Sequence, residues 1–400
     1  MSLVLEIDGA RYEEWTSAEV TRDLKDFAGS FSFTLRDATR SIAALPYASM
    51  RAIVRTRPGQ AVKVVADGTV VLVGWIKEVE GNIDDSHAEV TISGEDKAGA
   101  LIDCAEAPEG PGEYRNVNLE DAAKKIAAPY GLNVRTEIDT GAPFPRYAVD
   151  LAETGHSAIE KGARQRHALV MSDGVGGVVI TRTGARRAPA ALTLPGNVKG
   201  SRATFSHKGR HSKTIVRGQS EKADRGRDGK AAPLTAAGAP ADPGSRQPTD
   251  GSATERERRG TAMTGVAEDP EITRHRPIVH LARSQPDDQS VKDEADWRMR
   301  TARAAAEEAN YRVHGFSVAG RVWRVNEMTY VSDAFQGIER DMLVSKVVFR
   351  VSEDDGEETE ITVTSPEAFD KGKVGGRRKN LKSKSKTGAS GPLDGSAEAL

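Results

Sequence analysis

The length, composition and charge of the chain exclude several classes of protein. Its 400 residues exceed what one hydrophobic core usually serves, and they therefore predict two to four domains. An apolar share of 38%, with 39 glycines and 18 prolines, indicates that one or two segments do not pack into a core. The single cysteine, Cys104, excludes an internal disulfide framework and is typical of a protein that folds in a reducing cytoplasm. Its apolar neighbours predict that it is buried as a small hydrophobe.

The charge distribution and the N-terminus exclude further classes. The N-terminal residues do not show the basic start, apolar core and cleavage site of a signal peptide. No window approaches the ~18 apolar residues that a membrane span needs. We therefore expect a chain that is neither exported by itself nor inserted in a bilayer. The net charge is -2, but residues 371–386 hold eight basic residues and no acidic one. The body is therefore modestly acidic, which does not suit a nucleic-acid-binding body. We interpret the basic tail as a solvated end, with contact to an acidic partner as the alternative.

Residues 1–102 show the period of half-buried strands. Phe31, Phe33 and Leu35 alternate on one face, and so do Val62 with Val64, Val71 with Val73 and Trp75, and Val90 with Ile92. Asp8-Gly9 and Asp67-Gly68 are typical of two-residue hairpin turns, because both residues tolerate positive backbone angles. The pattern predicts about six antiparallel strands that avoid exposed edges by curling into a sandwich or barrel. We place the first domain at residues 1–102.

Residues 103–185 change to a mixed pattern and predict a small α+β domain. Between Asn116 and Gly131 an apolar stripe predicts a helix, with Asn118 as N-cap and Gly131 as C-cap. A second helix begins near Thr154, and two strands follow it. The glycine run at residues 173–177 joins these two strands, whereas a phosphate-binding loop opens a helix, so we interpret it as a hairpin.

The rest of the chain alternates between strand patterns and segments of low complexity. Residues 186–219 and 276–368 predict a second strand-rich barrel domain with one long helix, Asp287 to Arg312. Between them, residues 220–275 hold almost no large apolar side chain and predict a disordered or exposed loop. Residues 369–400 predict a flexible basic tail. The fold class is therefore mainly β with an α+β insert.

The candidate chemical groups do not form a known catalytic or metal-binding pattern. His207 and His211 have helical spacing, but Gly209 lies between them; His275 and His280 flank Arg276-Pro277, which excludes a helix. The sequence predicts no catalytic, metal or cofactor site, and its two strand tryptophans, Trp75 and Trp323, are predicted to be core residues rather than ligand-stacking ones. Two carboxylates could act together as a glycosidase pair, and four acidic residues are candidates: Glu78, Glu80, Asp84 and Asp85. Because they lie at strand ends and turns, we interpret them more simply as solvated surface residues.

A set of short motifs resembles the baseplate hub proteins of Mu-type contractile-tailed phages, a tail hub family related to the hubs of VgrG and pyocin-like injection machines. Each motif alone is weak, but nine of them follow the family order. They are Ser93-Gly94 with Lys97 and Leu101-Ile102-Asp103-Cys104; the Asn116 to Tyr130 helix with Gly131; Thr154 to Ala158; Met171 to Gly174; Val216 to Gln219; Arg276 to Val279; Ala295 to Arg298; Val322-Trp323 with Asn326; and Ser365 to Phe369. The resemblance does not extend to residues 220–275 or to the basic tail.

The resemblance implies a structural role in the virion. Hubs of this family form a homotrimeric ring with two tail-tube-like β-barrel domains per chain, which joins the six-fold tail tube or its initiator above to the trimeric central spike below. Contacts with wedge or tape-measure proteins, passage of the genome through the lumen, and assembly in the bacterial cytoplasm are implied as well. A cell-wall hydrolase and a peptidoglycan-binding tail component are the alternatives: the first would release sugar from wall material, and the second would sediment with it.

Overall fold

The computed structural model describes residues 3–13, 15–37, 56–83, 88–105, 112–150, 152–219, 262–282 and 288–369. The tail beyond residue 369, most of the segment predicted to be a loop (220–261), and Asp84 with Asp85 lie outside the described residues. No helix in the described part of the chain is long and apolar enough to cross a membrane.

Strands dominate the described residues. In chain order they are β1 Val4–Ile7, β2 Ala10–Tyr12, β3 Ser17–Asp23, β4 Ser30–Asp37, β5 Ala61–Ala66, β6 Thr69–Ile83, β7 Ala88–Asp96, β8 Glu113–Val117, β9 Asn133–Thr136, β10 Phe144–Ala148, β11 Leu169–Ser172, β12 Gly177–Thr181, β13 Arg186–Arg187, β14 Leu192–Leu194, β15 Val198–Phe205, β16 Lys213–Gln219, β17 Ala262–Glu268, β18 Pro277–Leu281, β19 Glu307–His314, β20 Ser317–Val318, β21 Arg321–Val322, β22 Glu327–Asp333, β23 Ile338–Ser352 and β24 Gly356–Thr364. The helices are α1 Ala100–Asp103, α2 Leu119–Ala127, α3 Gly155–Gln165 and α4 Asp288–Ala305, with 3-10 turns at Lys97–Gly99, Ala128–Tyr130 and Pro366–Ala368.

One fourteen-stranded sheet organises the molecule. Its strands follow the order β15-β19-β24-β23-β3-β4-β7-β6-β5-β1-β2, and β22 pairs with the first half of β23 and carries β13 and β14 on its other edge. The prediction of a mainly β chain with an α+β insert is confirmed. Most of the strands expected to make two barrels are instead hydrogen-bonded into this one sheet, and no closed barrel is detected among the described residues. A single apolar core runs under both parts and includes Phe33, Tyr311, Trp323 and Phe349.

The N-terminal hairpins form as their turn residues predict. Asp67 and Gly68 have φ values of 45° and 76°, and Asp8 and Gly9 have 48° and 87°, the positive angles of a type I′ turn. The predicted inward face of β6 is wrong. Leu72, Gly74 and Ile76 are its buried residues, so the large apolar residues between them point away from the core.

A second core belongs to the insert. Helices α2 and α3 pack over β9, β11 and β12 and enclose Leu119, Ile126, Ile159 and Ile180. Asn118 is the N-cap of α2, two acidic residues in its first turn favour the helix dipole, and Gly131 ends the following 3-10 turn with φ 64°. The glycine run at residues 173–177 joins β11 to β12, as predicted.

A third, smaller sheet covers α4. Strands β17, β16 and β18 form it, and its core contains Val216, Ala267, Val291 and Ala295. Two expectations are corrected here. Strand β17 lies within the range predicted to be a loop, because small residues on its buried face allow α4 to approach closely: an added Cβ on Gly265 would lie 2.0 Å from the Val291 carbonyl oxygen. Residues 213–219 and 277–281 therefore belong to this sheet rather than to a second barrel.

The long helix ends earlier than its alanine-rich sequence predicts. After Ala305 the chain extends into β19, in which Ala309, Tyr311 and Val313 are buried in alternation. A period of two replaces the helical period at this point, and burial of Tyr311 in the main core outweighs the helix propensity of the alanines.

Candidate assembly interface

Two parts of the main sheet have the same topology. The first unit, defined as β3 to β7, has the spatial order β3-β4-β7-β6-β5. The second unit, defined as β15, β19, β22, β23 and β24, has the spatial order β15-β19-β24-β23-β22. Strands that correspond in space also follow the same order along the chain. The larger insertion in the second unit, residues 206–306 between β15 and β19, contains the small sheet and α4.

The register of the two units also agrees. Their longest strands, β6 and β23, are each fifteen residues long and each carries a bulge at the corresponding place. In the first unit Ile76 pairs with Gly94 and Glu78 with Ser93, and the residue between them is skipped. The matching pairs in the second unit are Val344 with Val363 and Lys346 with Thr362. This equivalence gives the residues of β6 and β7 counterparts in β23 and β24.

A left-handed residue marks the same position in both units. Gly59 has φ 90° and donates its backbone N–H to the Ile76 carbonyl at 2.8 Å. Asn326 has φ 64° and donates to the Val344 carbonyl at 2.9 Å. Asparagine tolerates this conformation better than other side chains that carry a Cβ. The side chain of Asn326 in turn accepts from the Gly184 N–H at 2.8 Å and donates to the Arg182 carbonyl at 3.0 Å.

The two units meet at one joint, defined as the antiparallel pairing of β3 with residues 346–352 of β23. On the outer face of the joint, Arg350 Nε donates to Glu19 Oε2 at 3.0 Å, and Arg350 Nη1 donates to Glu360 Oε2 at 2.8 Å. On the inner face Val347 and Phe349 are buried beside Val20. The joint combines backbone hydrogen bonds, apolar burial and an ion pair, and it makes the sheet continuous from one unit to the next.

Each unit also has one edge that no described residue pairs with. In the first unit it is the side of β6 opposite β7, along residues 78–82, which we call the acceptor edge. In the second unit it is the outer side of β15, along residues 200–205, which we call the donor edge. Phe205 on the donor edge is 57% exposed. Unpaired strand edges are sites at which other chains add strands.

A buried ion cluster fixes the insert to the first unit. Asp96, 1% exposed, accepts hydrogen bonds from the Gly29 and Ala98 backbone N–H groups at 2.9 and 2.8 Å, from Ser172 Oγ at 2.9 Å and from Arg22 Nη1 at 3.2 Å. Arg22 Nη2 also donates to the Ser172 carbonyl at 2.6 Å. Burial raises the pKa of Asp96 and lowers the pKa of Arg22, and the attraction between the two charges opposes both shifts. The cluster ties β3, β7 and β11 together.

A cavity of about 180 Å³ lies beside this cluster, between the insert and the two units. Many of its charged lining residues are already engaged in ion pairs: Arg135 donates to Asp173 at 2.6 Å, and Arg186 contacts Glu137. Glu327, 4% exposed, also lines it, and burial raises the pKa of that carboxyl. We interpret the cavity as part of a polar contact between the insert and the main sheet.

Among the residues considered as metal or nucleophilic groups, His211 lies close enough to His280 for their charges to interact. His207 and His275 are exposed in irregular segments, and His280 lies on β18, where burial and then the charges of Arg298 and His211 lower its pKa. Among the described residues no three His, Cys, Asp or Glu side chains lie in positions to hold a metal ion. Cys104 is exposed, which corrects the prediction that it is buried, because α1 is a single turn with only Leu101 turned inward.

The two tryptophans differ in environment. Trp323 is 1% exposed, as predicted for a core residue. Trp75 is 44% exposed, and the prediction is wrong there because Trp75 points to the outer face of β6, with Lys97 Nζ 5.8 Å from its ring centroid. Glu78 and Glu80 are exposed along the acceptor edge.

Sequence inspection missed the two edges and the joint. The signal that could have indicated them is a long strand pattern followed closely by a shorter one, which occurs twice: β6 is followed by the nine residues of β7, and β23 by the nine residues of β24. The apolar patterns of the two units are too different to reveal the repeat directly.

Comparison with known proteins finds family models that match three parts of the chain. Residues 2–96 match the family described as "Mu phage baseplate assembly protein GpP-like, N-terminal", residues 98–182 match "Baseplate hub protein gp44-like, second domain", and residues 288–372 match "Mu phage baseplate assembly protein GpP, fourth domain". The baseplate hub protein gp44 of Escherichia phage Mu is 27% identical over 376 residues, which are 92% of this chain and 89% of that protein.

Two solved structures have the same overall fold. The 43 kDa tail protein of prophage MuSo2 from Shewanella oneidensis has a TM-score of 0.75 and 26% identity, and the match covers 92% of this chain and 99% of that one. A tail protein from Neisseria meningitidis MC58 has a TM-score of 0.67 and 19% identity, with 92% and 98% covered.

Proposed function

Because this chain belongs to the family of Mu-type baseplate hub proteins and is a structural component of the phage tail baseplate, we propose that three copies of it form a ring at the baseplate axis. The ring would join the tail tube to the central spike, and the genome would pass through its lumen. The observation that carries this proposal is the repeat of one five-stranded topology, in the same register, within a single chain.

The repeat supplies a means of matching two symmetries. A ring of three chains with two equivalent units each has three-fold symmetry, yet it presents six similar surfaces. The six surfaces fit a tube built of six-membered rings, and the three-fold symmetry fits a trimeric spike. Within each chain the joint between β3 and β23 already sets one of the six unit-to-unit contacts.

The partners are those that the family resemblance implies. The tail tube protein or a tube initiator contacts one side of the ring, the trimeric spike contacts the other, and wedge or tape-measure proteins are further partners. The insert at residues 103–185 lies outside or below the ring. The first unit belongs to residues 1–102, and the second draws on residues 186–219 and 276–368.

The proposed role is that of a scaffold rather than an enzyme. The relatives described above are named as hub, baseplate assembly and tail proteins. Glu78 and Glu80, two of the four acidic residues considered for glycosidase chemistry, lie along an exposed strand edge rather than in a cleft. Purified protein is expected neither to release sugar from cell-wall material nor to sediment with it.

Light scattering of the purified chain tests the ring. We expect a species of three times the 42.9 kDa chain mass for the free protein, and a complex that contains three copies of the chain when spike is bound. A stable hexamer in both conditions, or a single chain at every concentration, would contradict the proposal.

A further inference from the structure

We infer that the donor edge of one subunit pairs with the acceptor edge of the next, so that β15 adds to β6 of a second copy of this chain. The inference rests on the proposed trimeric ring and names the surfaces that close it. Both edges are exposed strands with no pairing partner among the described residues.

The register of the contact follows from the joint inside the chain. Strand β3 corresponds to β15, because both are the outer strand next to equivalent partners: Glu19 pairs with Ser32, and Arg202 pairs with Asn310. Strand β6 corresponds to β23 through their shared bulge. The internal pairing of β23 with β3 therefore translates into an antiparallel pairing of β6 with β15 of the neighbour. The resulting pairs are Val79 with Phe205, Glu80 with Thr204, Gly81 with Ala203 and Asn82 with Arg202.

The inner face of this contact is complementary in volume. Val79 is half-buried and packs against the main core, whereas an added Cβ on Gly81 would meet nothing within 4 Å. Phe205, opposite Val79 and diagonal to Gly81, would fill this space. Opposed residues on paired strands, and diagonal neighbours with long or aromatic side chains, lie close enough to touch. Pairing would thus cover an aromatic side chain that is 57% exposed in the single chain.

The outer face is complementary in charge. Glu78 and Glu80 on the acceptor edge have no ion-pair partner among the described residues, and neither does Arg202 on the donor edge. In the proposed register Arg202 is diagonal to Glu80. The internal joint has the opposite polarity, since its base, Arg350, lies on the long strand and its acid, Glu19, on the outer strand.

This reversal of polarity specifies the order of units in the ring. A donor edge carrying Arg202 would meet Arg350 if it paired with β23, and β3 carrying Glu19 would meet Glu80 if it paired with β6. Like charges directly opposed or diagonal on paired strands are destabilising, so each outer strand favours its own partner. Since the two edges are different surfaces, the contact is heterologous, and it closes after three chains if successive units are related by a one-sixth turn.

Disulfide trapping tests the pairing directly. In a Cys104→Ala background, which lacks the single native cysteine, Glu80→Cys with Thr204→Cys places two cysteines opposite each other across the proposed contact. The matched control is Thr21→Cys with Val348→Cys, at the equivalent positions of the internal joint, where the two residues are register partners. Mild oxidation of the test variant is expected to give covalent species of up to three chains that reduction returns to one, whereas the control remains a single chain with an internal disulfide.

Other results of this experiment distinguish a failure of the edge pairing from a failure of the trimeric ring. A trimer by light scattering that does not cross-link, while the control does, overturns the edge pairing and leaves the ring standing. A ladder of covalent species beyond three chains overturns closure. A chain that stays monomeric overturns the ring and the pairing together. A mixture of the two single-cysteine variants is expected to give covalent dimers only.

Discussion

Arg350 Nε lies 3.0 Å from Glu19 Oε2 across the joint, although the two residues are 331 positions apart in the chain. Both side chains are half-exposed, so the free energy of this ion pair is small, about 0–1 kcal/mol. The ion pair instead contributes specificity. On the free edges, Asn82 is equivalent to Arg350 and Arg202 is equivalent to Glu19, so the base lies on the outer strand. The acids near it, Glu78 and Glu80, lie on the long strand β6.

The first prediction concerns the charge on the donor edge. Arg202→Glu is expected to weaken trimer formation at least tenfold, because it places a third acid beside Glu78 and Glu80. Sedimentation over a range of concentrations measures the association. Arg217→Glu, at an exposed position on the small sheet, is the matched control and should leave the trimer intact. Equal association constants for both variants would count against the proposed register.

The second prediction concerns the buried cluster around Asp96. Asp96→Ala leaves Arg22 buried without its acidic partner, and breaking a buried ion pair costs about 3–5 kcal/mol. Asp103→Ala removes an exposed partner of Lys77 and should cost about 0–1 kcal/mol. Urea unfolding of the two variants beside the wild type compares these losses. Similar small losses would show that Asp96 does not hold the insert to the first unit.

The third prediction concerns the close approach of α4 to β17. Gly265→Ala is expected to lower the free energy of unfolding by about 1–3 kcal/mol, since its Cβ would lie 2.0 Å from the Val291 carbonyl oxygen and the helix must move. Gly112→Ala, where an added Cβ meets nothing within 4 Å, is the control. Trp297 on α4 provides a fluorescence signal for the transition. An unchanged midpoint for Gly265→Ala would mean that the helix does not pack there.

The fourth prediction is a pH dependence in the insert. Burial alone would raise the pKa of Glu153, but hydrogen bonds from Lys161 Nζ at 2.7 Å, the Asp150 N–H at 2.9 Å and Ser157 Oγ at 3.0 Å lower it below its ordinary value. A carboxyl with a lowered folded-state pKa stabilises the fold above its unfolded-state pKa, and this contribution is lost as the pH falls through the folded-state pKa.

Glu153→Gln tests that dependence. At neutral pH the variant is expected to be about 1 kcal/mol less stable than the wild type, because a charged acceptor is lost. The difference should shrink below pH ~4, as the wild-type carboxyl becomes protonated. Unfolding curves of both proteins at pH 7 and pH 3 measure it; a difference that is the same at both values would contradict the assignment.

Local chemistry made part of the fold predictable. The Asp67-Gly68 turn and the helix between Asn118 and Gly131 depend on residues next to one another in sequence, and both form as predicted. The inward face of β6 was predicted wrongly because one of its three inward positions is Gly74, whereas the outward face carries Val73 and Trp75. A pattern of apolar residues alone cannot correct such a shift by one residue.

The assembly surfaces were beyond sequence inspection for a different reason. The joint pairs strands from opposite ends of the chain, and no local signal specifies such a pairing. Two similar domains per chain are expected from the family resemblance, but the residues that correspond become visible only when the bulges at Ile76 and Val344 are aligned, since the residues that follow them, such as Gly81 and Phe349, differ in size. The role as a baseplate hub was predictable from the family resemblance, whereas the donor and acceptor edges are identified only from the strand registers of the structure.

Electron microscopy of the purified trimer, viewed along its axis, tests the central claim most directly. We expect class averages with strict three-fold symmetry in which six densities of similar size surround a central channel, alternating between first and second units. Three densities around the channel, with the second unit displaced from the ring, would contradict the account.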